Sequence, residues 1–140
     1  MLVKTIYISR STGPQTSTIT GSILKTALVF NRVHQITGVL CQGQGFFIQV
    51  LEGERSVINQ LYARIVQDSR HKDVEMVSLE EISQRQFTGW SMALIDLSDT
   101  DPMVVMQHPE FDPYSASATF LSQQVSDWIA SGKPIQSPAE

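Results

Sequence analysis

The chain has 140 residues, 41% hydrophobic and 17% charged, with a formal net charge of −4 and a single cysteine. That length predicts one domain burying about two-thirds of its unfolded surface. Cys41 alone excludes an internal disulfide framework and suits a reducing cytoplasm. The lack of a Lys/Arg cluster argues against nucleic acid as a direct partner, no apolar run nears the ~20 residues of a membrane span, and the N-terminus has no signal-peptide core.

Lys4 to Ser9 is rich in β-branched and aromatic residues and predicts a first strand. Arg10 to Thr18, with Gly13-Pro14, reads as a loop. From about Thr20 to His34, the residues Ile23, Leu24, Ala27, Leu28 and Phe30 recur at helical spacing. Ile36 to Cys41 predicts a second strand, and Gln42-Gly43-Gln44-Gly45 a tight turn into a third, Phe46 to Leu51, so the two form a hairpin. Val57, Ile58, Leu61, Tyr62, Ile65 and Val66 mark a second amphipathic helix with Ser56 as its expected N-cap. Asp68 to Asp73 is a charged turn. Val74 to Ser83 and Ser91 to Leu97 predict two more strands, joined through Phe87-Thr88-Gly89-Trp90.

This order, β-α-β-β-α-β with an added fifth strand, is the ferredoxin-like α+β plan with two helices on one sheet face. Asp99 to Pro113 reads as a linker, and Phe120, Leu121, Val125, Trp128 and Ile129 trace a further helix ending near Gly132. The expected division is a domain over 1–97, a linker and helical extension over 98–132, and a loose tail over 133–140. The third strand is too apolar for an open sheet face, so the C-terminal helix is expected to cover the second face.

Gln49 is the exception within that apolar strand. An unpaired buried amide costs about 1–3 kcal/mol, so it either meets a ligand or protein group or reaches water at the strand edge. Strand parity places Tyr7 with Thr5, Gln49 with Phe47 and Leu51, and Trp90 with Met92. In a ferredoxin-like sheet the first and third strands are neighbours, which would let Tyr7 and Gln49 touch. The facing helix adds Asn31, and Arg70 lies beyond the second helix. Such a polar set suits a planar polar ligand better than a substrate for hydrolysis.

Each of these residues also has a plain structural reading. Tyr7 could be an ordinary core tyrosine, Asn31 a helix C-terminal residue, Arg70 a solvated charge, and Trp90 and Met92 core filler. Asp68 could anchor Arg70 or cap the helix end. His34, His71 and His108 lack metal-ligand spacing and read as surface residues, with His71 near the expected ligand.

Five stretches together carry a resemblance: Tyr7 with Ser9; Asn31 ahead of Thr37-Gly38; Phe47 to Gly53; Arg64 to His71; and Phe87 to Met92. Over about residues 1–97 the chain resembles the BLUF family of blue-light sensors using flavin. The resemblance implies non-covalently bound FAD, with FMN or riboflavin as alternatives, and no enzymatic activity. It implies that Tyr7 and Gln49 form the photoactive pair, with Tyr7 giving an electron and its proton passing through Gln49, whose amide then rearranges its hydrogen bonds.

Asn31 would bind the pyrimidine ring, Arg70 would lie near its C2 carbonyl, and Trp90 and Met92 would relay the signal. Ile23, Leu24, Asp68 and His71 complete the expected binding set. Ile8, Phe30 and Val50 depart from residues found in many members. The expected output is a separate, unidentified effector protein, since the helical tail leaves no room for an attached domain. No membrane or nucleic acid is involved, and self-association is expected. The competing readings are a flavin-free interaction module and a flavin oxidoreductase. The latter is disfavoured by the lack of a nicotinamide fingerprint.

Overall fold

A computed structural model of the chain describes residues 1–88, 91–97, 112–130 and 134–136. The elements are β1 (Leu2–Ser11), α1 (Ser17–Val33), β2 (Thr37–Gly43), β3 (Phe46–Glu54), α2 (Arg55–Val66), β4 (His71–Glu81), β5 (Ala93–Asp96), α3 (Ala118–Ala130) and β6 (Pro134–Gln136). They build one mixed sheet in the order β4-β1-β3-β2-β5-β6. The first four strands have the ferredoxin-like arrangement, all antiparallel to their neighbours. β5 is the added fifth strand and runs parallel to β2. Residues 134–136, expected within a loose tail, pair with β5 as a short edge strand.

Local chemistry sets the element ends. The Thr16 hydroxyl accepts from the Ile19 amide at 3.2 Å, so α1 starts inside the stretch read as loop. It stops where Gln35 takes a left-handed φ of 55°. The β2–β3 turn is a two-residue loop in which Gln44 and Gly45 both have positive φ, the geometry that matches strand twist. The expected Ser56 cap does not occur: Glu54 is the N-cap of α2, with no side-chain cap bond, and its carboxylate pairs with the Met1 ammonium at 2.6 Å. β4 begins at His71, so the charged turn ends three residues earlier than the sequence suggested.

β3 is buried from Phe46 to Gly53, because both faces of the sheet are covered. One apolar layer joins Val3, Leu40, Phe47, Leu51 and Met92 to Leu24 and Leu28 of α1 and Ile58 and Leu61 of α2. The other joins Ile6, Ile8, Val39, Cys41, Ile48, Val50 and Ile95 to Leu121, Val125 and Trp128 of α3. The C-terminal helix covers the second face, as the unalternating third strand required. The approach to α3 is fastened to the ends of β1 and β4: Tyr114 donates to the Asp73 carbonyl at 2.6 Å, and the Arg10 guanidinium lies 4.2 Å from the Tyr114 ring centre.

Candidate functional site

β1 and β3 pair without a break from Leu2↔Glu54 to Arg10↔Phe46, which sets Tyr7 directly across from Gln49. On the other edge of β1 the register with β4 shifts between Ile6 and Tyr7 and again between Ile8 and Arg10. Such bulges re-aim side chains next to functional sites. Both Tyr7 and Gln49 face the two helices. Tyr7 is 1% exposed and Gln49 7%. The strand-edge reading of Gln49 is thereby excluded, since the residue sits in the sheet centre.

Above this pair, α1 and α2 part to leave a slot of about 750 Å³, its open mouth included. Tyr7, Leu40, Phe47 and Gln49 form its floor, Ile23, Thr26, Ala27 and Phe30 one wall, and Leu61, Arg64 and Ile65 the other. Asp68, Arg70 and His71 stand at its end.

Charge at that end is organised. Arg70 Nε donates to both Asp68 carboxylate oxygens, at 2.9 and 3.1 Å, and Nη1 donates to Ser22 Oγ of α1 at 2.9 Å. The Arg70 hydrogen bond holds the Asp68 carboxyl below its usual range, against the opposing effect of burial. Asp68 thus anchors Arg70, while Gln67 is the C-cap of α2. His71 joins two elements: Nε2 lies 2.6 Å from the Ile65 carbonyl and Nδ1 3.0 Å from Ser9 Oγ. The carbonyl can only accept, which places a proton on Nε2.

Tyr7 Oη and Asn31 Oδ1 are buried without a hydrogen-bond partner among the described residues. Asn31 is fully buried, and its Nδ2 donates to the Ser91 carbonyl at 2.8 Å, tying the end of α1 to the residue before Met92. The Gln49 amide nitrogen meets the Met92 sulfur at 4.0 Å, a weak acceptor at long range. Burial is the main cause pushing the Tyr7 phenol well above its ordinary pKa, with Asp68 and Tyr62 adding to it. The orphaned phenol and the loosely held glutamine face the slot, while the orphaned amide oxygen of Asn31 is buried beside Ser91, outside the slot lining.

The structure brings together Tyr7, Gln49, Ile23, Asp68, Arg70 and His71 around one slot, and Met92 against Gln49. Leu24 does not line the slot but packs in the apolar layer beneath α1. Asn31 adjoins Ser91 and also does not line it. Trp90 lies outside the described residues. Sequence reading missed Arg64 and assigned Phe30 no role. The Arg64 guanidinium sits 4.6 Å from the Phe30 ring centre, closing one side of the slot. The signal was available: Leu61, Arg64 and Ile65 share a helix face at i, i+3 and i+4.

Comparison with known proteins agrees with this geometry. The family model described as "Sensors of blue-light using FAD" matches residues 2–93. The beta subunit of photoactivated adenylate cyclase from Euglena gracilis is 34% identical over 80% of this chain, a match spanning only 13% of that protein. Among solved structures, the dark state of BlrB, a BLUF protein, superposes with a TM-score of 0.77 at 27% identity, covering 94% of this chain and 96% of that one. A bacterial light-regulated adenylyl cyclase superposes with a TM-score of 0.72 at 27% identity, covering 94% of this chain and 36% of that one. With its slot, its tyrosine–glutamine pair and these matches, the chain belongs to the family of blue-light sensors that use FAD.

Proposed function

We propose that Tyr7 and Gln49 are the photoactive pair of this sensor, and that the slot between α1 and α2 holds the flavin ring. The observation carrying this is Tyr7 Oη, buried without a partner directly across the ladder from Gln49. Asn31, which does not line the slot itself, carries an unpartnered Oδ1 that would accept from an imide-type N–H reaching past the slot wall, and Arg70, fixed by Asp68 and Ser22, offers a cation to a carbonyl. Ile23 and Phe47 supply apolar contact to a planar ring. When bound, the flavin supplies blue-light absorption and, in its excited state, a strong one-electron oxidant.

Tyr7 gives up an electron and its proton passes through the Gln49 amide, the neighbouring group able both to accept and to donate, before both return to Tyr7. The Gln49 side chain ends in a different hydrogen-bond arrangement once the electron returns. Its weak hold on Met92 leaves it free to turn. A single amide exchanging partners shifts a two-state element by about 1–3 kcal/mol.

Met92 immediately precedes β5, which runs beside β2, so Met92 and Trp90 are the proposed relay. The module performs no catalysis itself. Its output is read by an effector protein through β5 and α3, and exposed Val29 and Val33 on α1 offer an apolar face for self-association.

The test is optical. Purified protein supplied with FAD should turn yellow, shift slightly red under blue light and recover in darkness. Protein that takes up no flavin would remove the sensor reading. A normal red shift in Tyr7→Phe would remove the assigned pair.

A further inference from the structure

We propose that Tyr62 is a second redox-active tyrosine, standing behind Tyr7 so that oxidation begun in the slot can move outward and meet reductants in solution. This rests on the reading of Tyr7 as the residue oxidised by the photoexcited flavin. The Tyr7 and Tyr62 ring centres are 5.9 Å apart and their planes meet at 67°. That is an edge-to-face contact within the 4.5–7 Å range of aromatic pairs, and neighbouring rings in contact exchange electrons readily. Tyr7 lines the slot and Tyr62 does not, so of the two rings Tyr7 is the one that meets the slot directly.

Their surroundings favour the outward direction. Tyr7 is fully buried, while Tyr62, on α2, is partly exposed. An oxidised phenol is strongly acidic and loses its proton to water where water can reach it. Cys41 and Trp128 belong to the apolar layer on the opposite face of the sheet.

The balance is that of one hydrogen atom. The photoexcited flavin, as oxidant, removes one electron from Tyr7 along with its phenolic proton. Tyr62 then passes one electron to the Tyr7 phenoxyl. The Tyr62 O–H bond breaks, with its proton leaving to solvent, and the Tyr7 O–H bond re-forms with a proton entering from the slot mouth. If a thiol in solution then gives a hydrogen atom to the Tyr62 phenoxyl, two such thiols couple to a disulfide. One reducing equivalent stays on the flavin per event. Repeated illumination with thiol therefore bleaches the protein by way of Tyr62.

The experiment illuminates the full chain loaded with FAD in the presence of a nitroso spin trap, then maps adducts by peptide mass spectrometry. The expected result is an adduct on Tyr62, reduced at least tenfold in Tyr7→Phe. No adduct on Tyr62, or an undiminished one in Tyr7→Phe, overturns the proposal. Bleaching with a thiol should be about fivefold slower in Tyr62→Phe, and equal rates overturn it as well. Mapping the unaltered chain makes the test independent of whether that variant folds. The red shift is read in the same sample: a normal shift without the adduct removes this inference alone, and an absent shift removes the sensor reading with it.

Discussion

Two buried polar side chains on β3, three residues apart, are treated in opposite ways. Gln49 faces the helices and has a sulfur at 4.0 Å as its amide partner. Glu52, fully buried on the other face, is saturated: it accepts from the Thr37 hydroxyl at 2.9 Å, the Gln86 amide at 2.7 Å and the Phe87 amide at 3.0 Å. Arg85 reinforces the same knot through the Thr37 hydroxyl and the Glu52 carbonyl. A polar group whose every bond is internal holds the fold together. One left under-satisfied next to a cavity is kept for a ligand and remains able to change partners.

That contrast can be broken by substitution. Gln49→Ala should abolish the light-induced red shift entirely while flavin still binds, as read by difference spectroscopy. Retained photochemistry would show that Gln49 is no less structural than Glu52. Glu52→Ala strands two backbone N–H groups and should cost about 3 kcal/mol of stability in urea unfolding. It should leave a red shift wherever the protein folds. A smaller loss than Gln49→Ala causes in the same unfolding assay would erase the distinction.

How far the sequence disclosed this follows from the same contrast. Gln49 announced itself because it interrupts an apolar run, and strand parity with ferredoxin-like order was enough to bring Tyr7 beside it. Glu52 closes the same run ahead of Gly53 and carries no such signal, because its partners Arg85, Gln86 and Phe87 lie on a distant segment. Arg64 was overlooked for a similar reason: its spacing from Leu61 was legible, but an arginine on an amphipathic helix reads as solvated until the facing Phe30 is known. The Ser56 cap failed because chain entry from β3 is set by sheet pairing through Glu54, which overrides a cap preference of about 1 kcal/mol. The 134–136 strand is three residues long and pairs only with β5, so its own composition carried no strand signal.

Two smaller effects sharpen the comparison. Asp68 has a carboxyl pKa depressed by Arg70, so its contribution is present above the ordinary value near 4 and is lost as pH falls through the folded value. Acid that carries the pH below the depressed Asp68 value, under the ordinary carboxylate range, should free Arg70 and weaken flavin binding about tenfold, measured by fluorescence titration, whereas Arg70→Ala should bind weakly at every pH. At the bottom of the scale, Ser56→Ala should change stability by less than about 0.5 kcal/mol, since no cap bond is lost.

The unbroken ladder between β1 and β3 restricts how this chromophore pocket can evolve. Sliding β3 by a single residue would rotate Gln49 into the oily layer under α3, and sliding β1 would do the same to Tyr7; either turns a hydrocarbon toward the slot. Insertions within these strands are therefore closed as a route to new colours or cycle speeds. Such tuning is left to side-chain replacement along the slot walls, while changes of length are confined to places such as the loop before α1.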